Sequence, residues 1–232
     1  MRIGILETDK LDADLIARFG SYAEMFKVLL SSIDNGLSFK VYQVIDNAYP
    51  EQIDECDAYL ITGSKYSAYD NDGWIRKLET YIVSLHELRK KLIGICFGHQ
   101  LIAQALGGKV SKSEKGWGVG NITKQIIHTP DWMQTEKQQF TMIYSHQDQV
   151  DILPDGATLI AGNDFCQLSS FQIGNHILTF QGHPEFTPAY ARQRLQTRRE
   201  KVGEAIYQKG MASLHEENDS VLVARWLLDF SK

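Results

Sequence analysis

Three short runs, Arg2–Glu7 (RIGILE), Ala58–Thr62 (AYLIT) and Leu92–Cys96 (LIGIC), are almost continuously apolar and are separated by longer amphipathic stretches. A strand with one wet face alternates apolar and polar residues. A run that is apolar throughout suits a strand covered on both faces, as in a parallel sheet flanked by helices. Phe39–Val44 (FKVYQV) reads as a fourth strand. Between the first two, Asp12 is placed to cap a helix in which Leu15, Phe19, Tyr22, Phe26, Leu29 and Ile33 recur every three or four residues. Asp72 to Lys90 gives a second helix, and His99 to Leu106 a third that Gly107-Gly108 stops. The rhythm predicts an α/β fold: an open, doubly wound, mostly parallel sheet with flanking helices.

After residue 109 the rhythm changes. Asn121–His128, Phe140–Ser145, Thr158–Gly162, Gln167–Ile173 and His176–Gln181 are closely spaced strand candidates, and Gly174-Asn175 is a hairpin signal. An antiparallel hairpin region is therefore expected beside the parallel sheet. Thr187 before Pro188 predicts an N-cap and first helical residue, opening one long helix to about Lys209, and a closing helix starts at Ser220. With no repeat, low-complexity tract or linker, residues 1–232 read as a single domain.

Composition narrows the function. The chain has 232 residues, 43% of them hydrophobic, enough to bury a core without disulfide staples. Cys56, Cys96 and Cys166 are odd in number, far apart and without a C-x-x-C pair, which suits neither a disulfide framework nor a zinc–cysteine site. A net charge of −5 gives no electrostatic reason to expect nucleic acid or an anionic membrane as partner. No apolar stretch resembles a signal peptide or a membrane span. The expectation is a reduced, soluble, cytoplasmic protein.

The sharpest local feature is Gly94-Ile95-Cys96-Phe97-Gly98-His99-Gln100. A buried strand enters it and a short helix leaves it, the strand–turn–helix setting of a nucleophile elbow with Cys in place of Ser. Glycines on either side suit a tight turn with strained backbone, where side chains have no room. The turn holds Cys96 at the carboxyl end of the sheet, where α/β proteins bind ligands, and at a helix N-terminus, which favours a thiolate. Cys56 and Cys166 read as small buried hydrophobes.

A cysteine nucleophile needs a base, and the base an orienter. Gln181-Gly182-His183-Pro184-Glu185 follows the last apolar strand, and His183 and Glu185, two apart, share one side of an extended segment. Other chemistries fit less well. His183-x-Glu185 is too short for a three-ligand metal set, and His99, His128 and His146 lie in different motifs or strands. Without a G-x-G-x-x-G or G-x-x-x-x-G-K-[ST] pattern, no nucleotide site and no cofactor is expected. Gly116–Gly120 reads as a turn-rich loop.

Gly94–Gln100 together with His183-Pro184-Glu185 resembles the class I, triad-type glutamine amidotransferases. Thr62-Gly63-Ser64 stands where that family places its oxyanion loop, and Leu106-Gly107-Gly108-Lys109-Val110, Gly116-Trp117-Gly118-Val119-Gly120 and Ser145-His146-Gln147-Asp148 follow in the family's order. Through Gly63–Asp70 and the SHQD segment the chain looks most like the stand-alone, GMP-synthase-like members. Many relatives carry Gly-Gly-Pro at the oxyanion loop, so the neighbours of Gly63 differ here.

The resemblance implies that Cys96 attacks the side-chain amide carbon of glutamine and that the backbone N–H groups of Gly63 and Phe97 hold the oxyanion. His183 would protonate the departing ammonia and then activate water, with Glu185 orienting the imidazole. Gln100 would contact substrate, and the Ser145–His146 backbone would meet its α-carboxylate end. A separate synthetase or acceptor subunit would take the ammonia. The same triad also suits a γ-glutamyl peptidase or hydrolase acting on other γ-glutamyl compounds, and a non-catalytic regulatory subunit is a third reading that the intact triad argues against. The basic stretch Arg192–Lys201 reads as a solvated helix face or as a docking surface for an acidic synthetase.

Overall fold

The computed structural model describes residues 1–232. In chain order its first half runs β1 (Arg2–Glu7), α1 (Ala13–Phe19), α2 (Tyr22–Ser31), β2 (Ser38–Gln43), β3 (Ala58–Ile61), α3 (Gly73–Glu87), β4 (Lys91–Ile95) and α4 (Phe97–Ala105). Next come β5 (Lys109–Lys112), β6 (Gly118–Ile126), β7 (Gln139–His146), β8 (Asp148–Ile152), β9 (Ala157–Gly162), β10 (Ser170–Ile173) and β11 (Ile177–Phe180). The chain closes with α5 (Pro188–Thr197), α6 (Arg199–Val202), α7 (Glu204–Ser213) and α8 (Ser220–Ser231).

Nine strands make one sheet in the order β2-β1-β3-β4-β11-β10-β9-β6-β7. The first five are parallel, in the 2-1-3-4-5 order of doubly wound folds with β11 as the fifth strand. Alternate residues serve the two faces. Leu60, Ile93 and Ile95 pack with α2 and α8, through Phe26, Leu30, Trp226 and Leu227. Tyr59, Ile61 and Leu92 pack with α3 and α4, through Ile75, Leu78, Leu101 and Ile102. Each fully buried aliphatic side chain of this kind stabilises the fold by about 1.5–3 kcal/mol, which is why the strands read as unbroken apolar runs.

The expected antiparallel region is present. β10, β9, β6 and β7 continue the same sheet, and β5 and β8 form a separate two-stranded ribbon absent from the sequence-based expectation. Gly118–Gly120, expected in a loop, open β6 instead. A side chain at Gly120 would lie 2.6 Å from the Gly210 carbonyl, so these glycines let α7 lie directly on the strand. The expected hairpin is present as β10–β11, closed by Gly174, Asn175 and His176 with Gly174 at φ +52°.

Two expected helices are broken. The stretch after Asp12 divides at Gly20 (φ +77°), and Ser21 begins a new helix by accepting a hydrogen bond from the Glu24 N–H. Phe19 and Tyr22 keep helical spacing across the break, which hid it. Asp12 stands at the N-cap position without a side-chain hydrogen bond. The helix opened by Thr187, whose hydroxyl accepts from the Tyr190 N–H at 3.2 Å, is interrupted at Arg198 and again at Gly203 (φ +87°). No helix is long and apolar enough to cross a membrane.

Candidate active site

Three neighbouring parallel strands deliver the expected site. Gly63 lies just beyond β3, Cys96 directly after β4, and His183 shortly after β11, all at the carboxyl ends. Cys96 sits between strand and helix at φ 52°, ψ −100°, a conformation L-residues rarely adopt. The turn is tight: a Cβ at Gly98 would lie 2.6 Å from the Ile61 carbonyl, and one at Gly94 would lie 2.7 Å from the Gly98 carbonyl. Both elbow glycines are thus imposed by close backbone approach. The helix begins at Phe97 rather than His99, which puts the cysteine at its very start.

His183 is buried and fixed from three sides. Its N–H donates to the Ile143 carbonyl at 2.8 Å, its ring stacks on Phe186 at 3.8 Å between centroids, and its Nδ1 lies 2.7 Å from Glu185 Oε1. The imidazole sits between this carboxylate and the Cys96 sulfur. Burial alone pushes its pKa down, but the Glu185 and Cys96 charges and hydrogen bonds outweigh that, and it is raised to about 10. Gly63 is close to both partners: a Cβ on it would lie 2.7 Å from His183 Cε1 and 3.6 Å from Cys96 Cβ.

The N–H groups of Gly63 and Phe97 make no hydrogen bond within the chain and are free to meet a ligand oxygen. Thr8, just beyond β1, braces the first. Its hydroxyl oxygen lies 2.9 Å from the Gly63 carbonyl, 3.1 Å from the Thr62 carbonyl and 3.0 Å from Thr62 Oγ1. The Thr62 carbonyl belongs to the same peptide unit as the Gly63 N–H, so this buried pair of hydroxyls fixes the direction in which that N–H points. Thr8 was not among the expected site residues. Its position at the carboxyl end of the first parallel strand was the available signal.

Cys96 opens onto a cavity of about 570 Å³ that Gln100, Ser145 and His146 also line. Gln100 is less available than expected, because its amide nitrogen donates to the Asp148 carbonyl at 2.8 Å and to Gln181 Oε1 at 2.9 Å. Ser145 and His146 end β7 opposite Val119 and Gly118. His146 Nδ1 lies 2.9 Å from the Asp148 carbonyl, and burial holds its pKa at about 3. His99, below the elbow, is likewise pushed down to about 3 by burial and lies 2.8 Å from Thr179 Oγ1. Both are neutral, packed imidazoles.

The basic run is divided between the surface and the cavity. Arg194, Arg198 and Lys201 line the cavity, whereas Arg192 donates to the Leu214 carbonyl and Arg199 pairs with Glu204. No three side chains among His, Cys, Asp and Glu gather where they could hold a metal ion.

An acidic group, an imidazole and a thiol in series, beside two free backbone N–H groups, can support acyl transfer through a thioester. The chain is similar to several known proteins. The chain is 36% identical over 175 residues to gamma-glutamyl peptidase 4 of Arabidopsis thaliana, covering 72% of this chain and 69% of that one. It is 31% identical over 173 residues to a subunit of the glutamine-hydrolyzing GMP synthase of Archaeoglobus fulgidus, covering 74% and 87%. A glutamine amidotransferase from Thermotoga maritima shares the fold with a TM-score of 0.77 at 16% identity, over 99% of this chain and 97% of that one. Residues 21–199 match the profile of glutamine amidotransferase class-I. The chain belongs to the class I glutamine amidotransferase family.

Proposed function

We propose that this protein hydrolyses the γ-amide bond of γ-glutamyl compounds whose leaving amine is larger than ammonia. The observation that carries this reading is the cavity of about 570 Å³ into which Cys96 opens, space that the loss of ammonia from glutamine does not require. The similarity to a γ-glutamyl peptidase supports it.

In the proposed reaction the Cys96 thiolate adds to the γ-carbonyl carbon, and the Gly63 and Phe97 N–H groups receive the oxyanion. The C–N bond breaks as the His183 imidazolium gives its proton to the leaving amine, and a γ-glutamyl thioester remains. Neutral His183 then takes a proton from water, the hydroxide adds to the thioester, and the C–S bond breaks. Glutamate leaves and the thiolate–imidazolium pair is restored. Glu185 keeps Nδ1 protonated and stabilises the charged ring throughout. The Ser145–His146 rim receives the α-carboxylate end, and residues 1–232 act as one domain.

The test is alkylation of Cys96 by a glutamine-like diazoketone, located by peptide mapping, with glutamine or a γ-glutamyl dipeptide as competitor. One adduct on Cys96, suppressed at lower concentration by the dipeptide than by glutamine, is expected. An adduct elsewhere would overturn the assignment of Cys96. Protection by glutamine alone would favour a second reading, a glutaminase that hands ammonia to a separate synthetase, which the similarity to a GMP synthase subunit supports.

A further inference from the structure

The chain carries a net charge of −5, yet five cationic side chains face the cavity against two acidic ones. Part of this excess is neutralised. Lys65 lies 3.4 Å from the buried Asp9. Arg194, Arg198 and Lys201 have no carboxylate within ion-pair distance, although Arg199, in the same basic run, is paired with Glu204. The break between α5 and α6 falls at Arg198, and all three cations line the cavity together with Ser145 and Trp117.

The patch is built, not a set of waving side chains. Arg198 Nη1 donates to Ser145 Oγ at 3.0 Å and approaches the Ser145 carbonyl at 3.4 Å. Its guanidinium lies 5.4 Å from the Trp117 ring centroid, and the Lys201 ammonium lies the same distance from that ring. Fixing like charges beside one another is unfavourable unless an anion joins them. A guanidinium held by one edge still presents its remaining N–H donors in the planar fork that matches a carboxylate.

Free glutamine carries one carboxylate and one ammonium, and so does the α-amino-acid end of any γ-glutamyl compound. One carboxylate at the Ser145–His146 rim leaves most of the excess positive charge unanswered. We propose that Arg194, Arg198 and Lys201 form a subsite for a second carboxylate, carried by the leaving amine, so that the preferred substrates are γ-glutamyl amino acids or peptides with a free C-terminal carboxylate. This rests on the γ-glutamyl hydrolase reading above and narrows it to anionic leaving groups.

The experiment compares kcat/KM for γ-glutamylglycine and γ-glutamylglycinamide, two substrates of nearly equal shape that differ in charge only at the far end. The wild-type protein is expected to prefer the acid by about 10- to 100-fold at low ionic strength, and less as salt is added. In Arg198→Gln and in Lys201→Met the ratio should move toward one, and Arg198→Lys should restore part of it. A wild-type ratio near one, with both dipeptides cleaved, overturns the subsite and leaves the γ-glutamyl reading standing. Equal losses on both substrates in the variants also overturn it, since the cations would then serve the glutamyl end or the fold. If neither dipeptide is cleaved while glutamine is, the γ-glutamyl reading fails and takes the subsite with it.

Discussion

The two halves of the nine-stranded sheet do different work. The parallel half sets neighbouring carboxyl ends side by side, so Gly63, Cys96 and His183 come together from strands β3, β4 and β11 that pair directly. Cys96 and His183 are buried there, and the His183 ring is held by Glu185 and by stacking on Phe186. The antiparallel half, with the broken helix that follows the sheet, supplies Ser145, His146 and the cations of the cavity wall. His146 is buried there, but Ser145, Arg194 and Arg198 are half-buried and Lys201 is exposed. On the proposed mechanism the reactive groups sit on the regular half, and the groups proposed to tell one substrate from another sit on the irregular half.

Substitutions at Cys96 should separate the halves most sharply. Cys96→Ala should lower turnover by about 10⁴-fold or more and abolish labelling by the diazoketone, while Ser145→Ala should act mainly on KM, by about 3- to 10-fold. Cys96→Gly adds a second readout. The backbone at φ 52°, ψ −100° is the mirror image of an ordinary extended conformation, which glycine adopts freely. That variant should be as inactive as the alanine one, yet gain about 1 kcal/mol in stability by denaturant titration. A destabilised Cys96→Gly protein would show that the elbow stores no strain.

Within the parallel half the effects should grade with distance from the bond being broken. Glu185→Gln should cost about 10- to 100-fold in kcat, less than loss of Cys96 or His183, because the carboxylate orients the ring and does not react. Thr8→Val keeps shape and removes the hydroxyl that braces the peptide unit of Gly63. It should lower kcat by about 10-fold with little change in KM, the signature of a group that matters only once the oxyanion forms. A change in KM alone would place Thr8 in substrate binding instead.

The same division explains what was legible in the sequence. Strands of the parallel half are apolar on both faces, so RIGILE, AYLIT and LIGIC announce themselves, and the elbow glycines mark a turn with no room for side chains. Local chemistry also announced Thr187 and Pro188. The breaks at Gly20 and Arg198 were hidden because apolar or charged residues kept a three-to-four spacing across them. Gly118–Gly120 looked like a loop because glycine serves turns and close packing alike, and only the presence of α7 against β6 decides between them. The cavity wall was the least legible part. Arg194, Arg198 and Lys201 read as a surface run, since nothing local distinguishes a cation facing a pocket from one facing water.

The smallest expected effect is on stability against pH, and it contrasts imidazoles of the two kinds. His183 is held protonated, with its pKa raised to about 10 from about 6.5 in an unfolded chain. Taken alone, its contribution is therefore full below pH 6.5 and is lost as pH rises toward 10. His99 and His146, each lowered to about 3 by burial, behave oppositely: their contribution is full above pH 6.5 and is lost as pH falls toward 3. With His176, lowered to about 4, the unfolded chain binds three extra protons at imidazoles on the acid side, and unfolding free energy should fall below pH 6.5 by about 1.4 kcal/mol per pH unit for each of them. On the alkaline side the proposed thiolate–imidazolium pair holds as many protons as an unfolded thiol and neutral imidazole, because the proton on His183 is the one given up by Cys96. Stability should therefore be nearly level between pH 7 and 8 in the wild type. Cys96→Ala leaves an imidazolium without its thiolate and should tilt the curve downward there, by up to about 1.4 kcal/mol per pH unit. Urea titrations from pH 5 to 8 on both proteins check this. A wild-type fall above pH 7 as steep as the variant's would mean that His183 is protonated beside a neutral thiol, and the resting thiolate–imidazolium pair would lose its support.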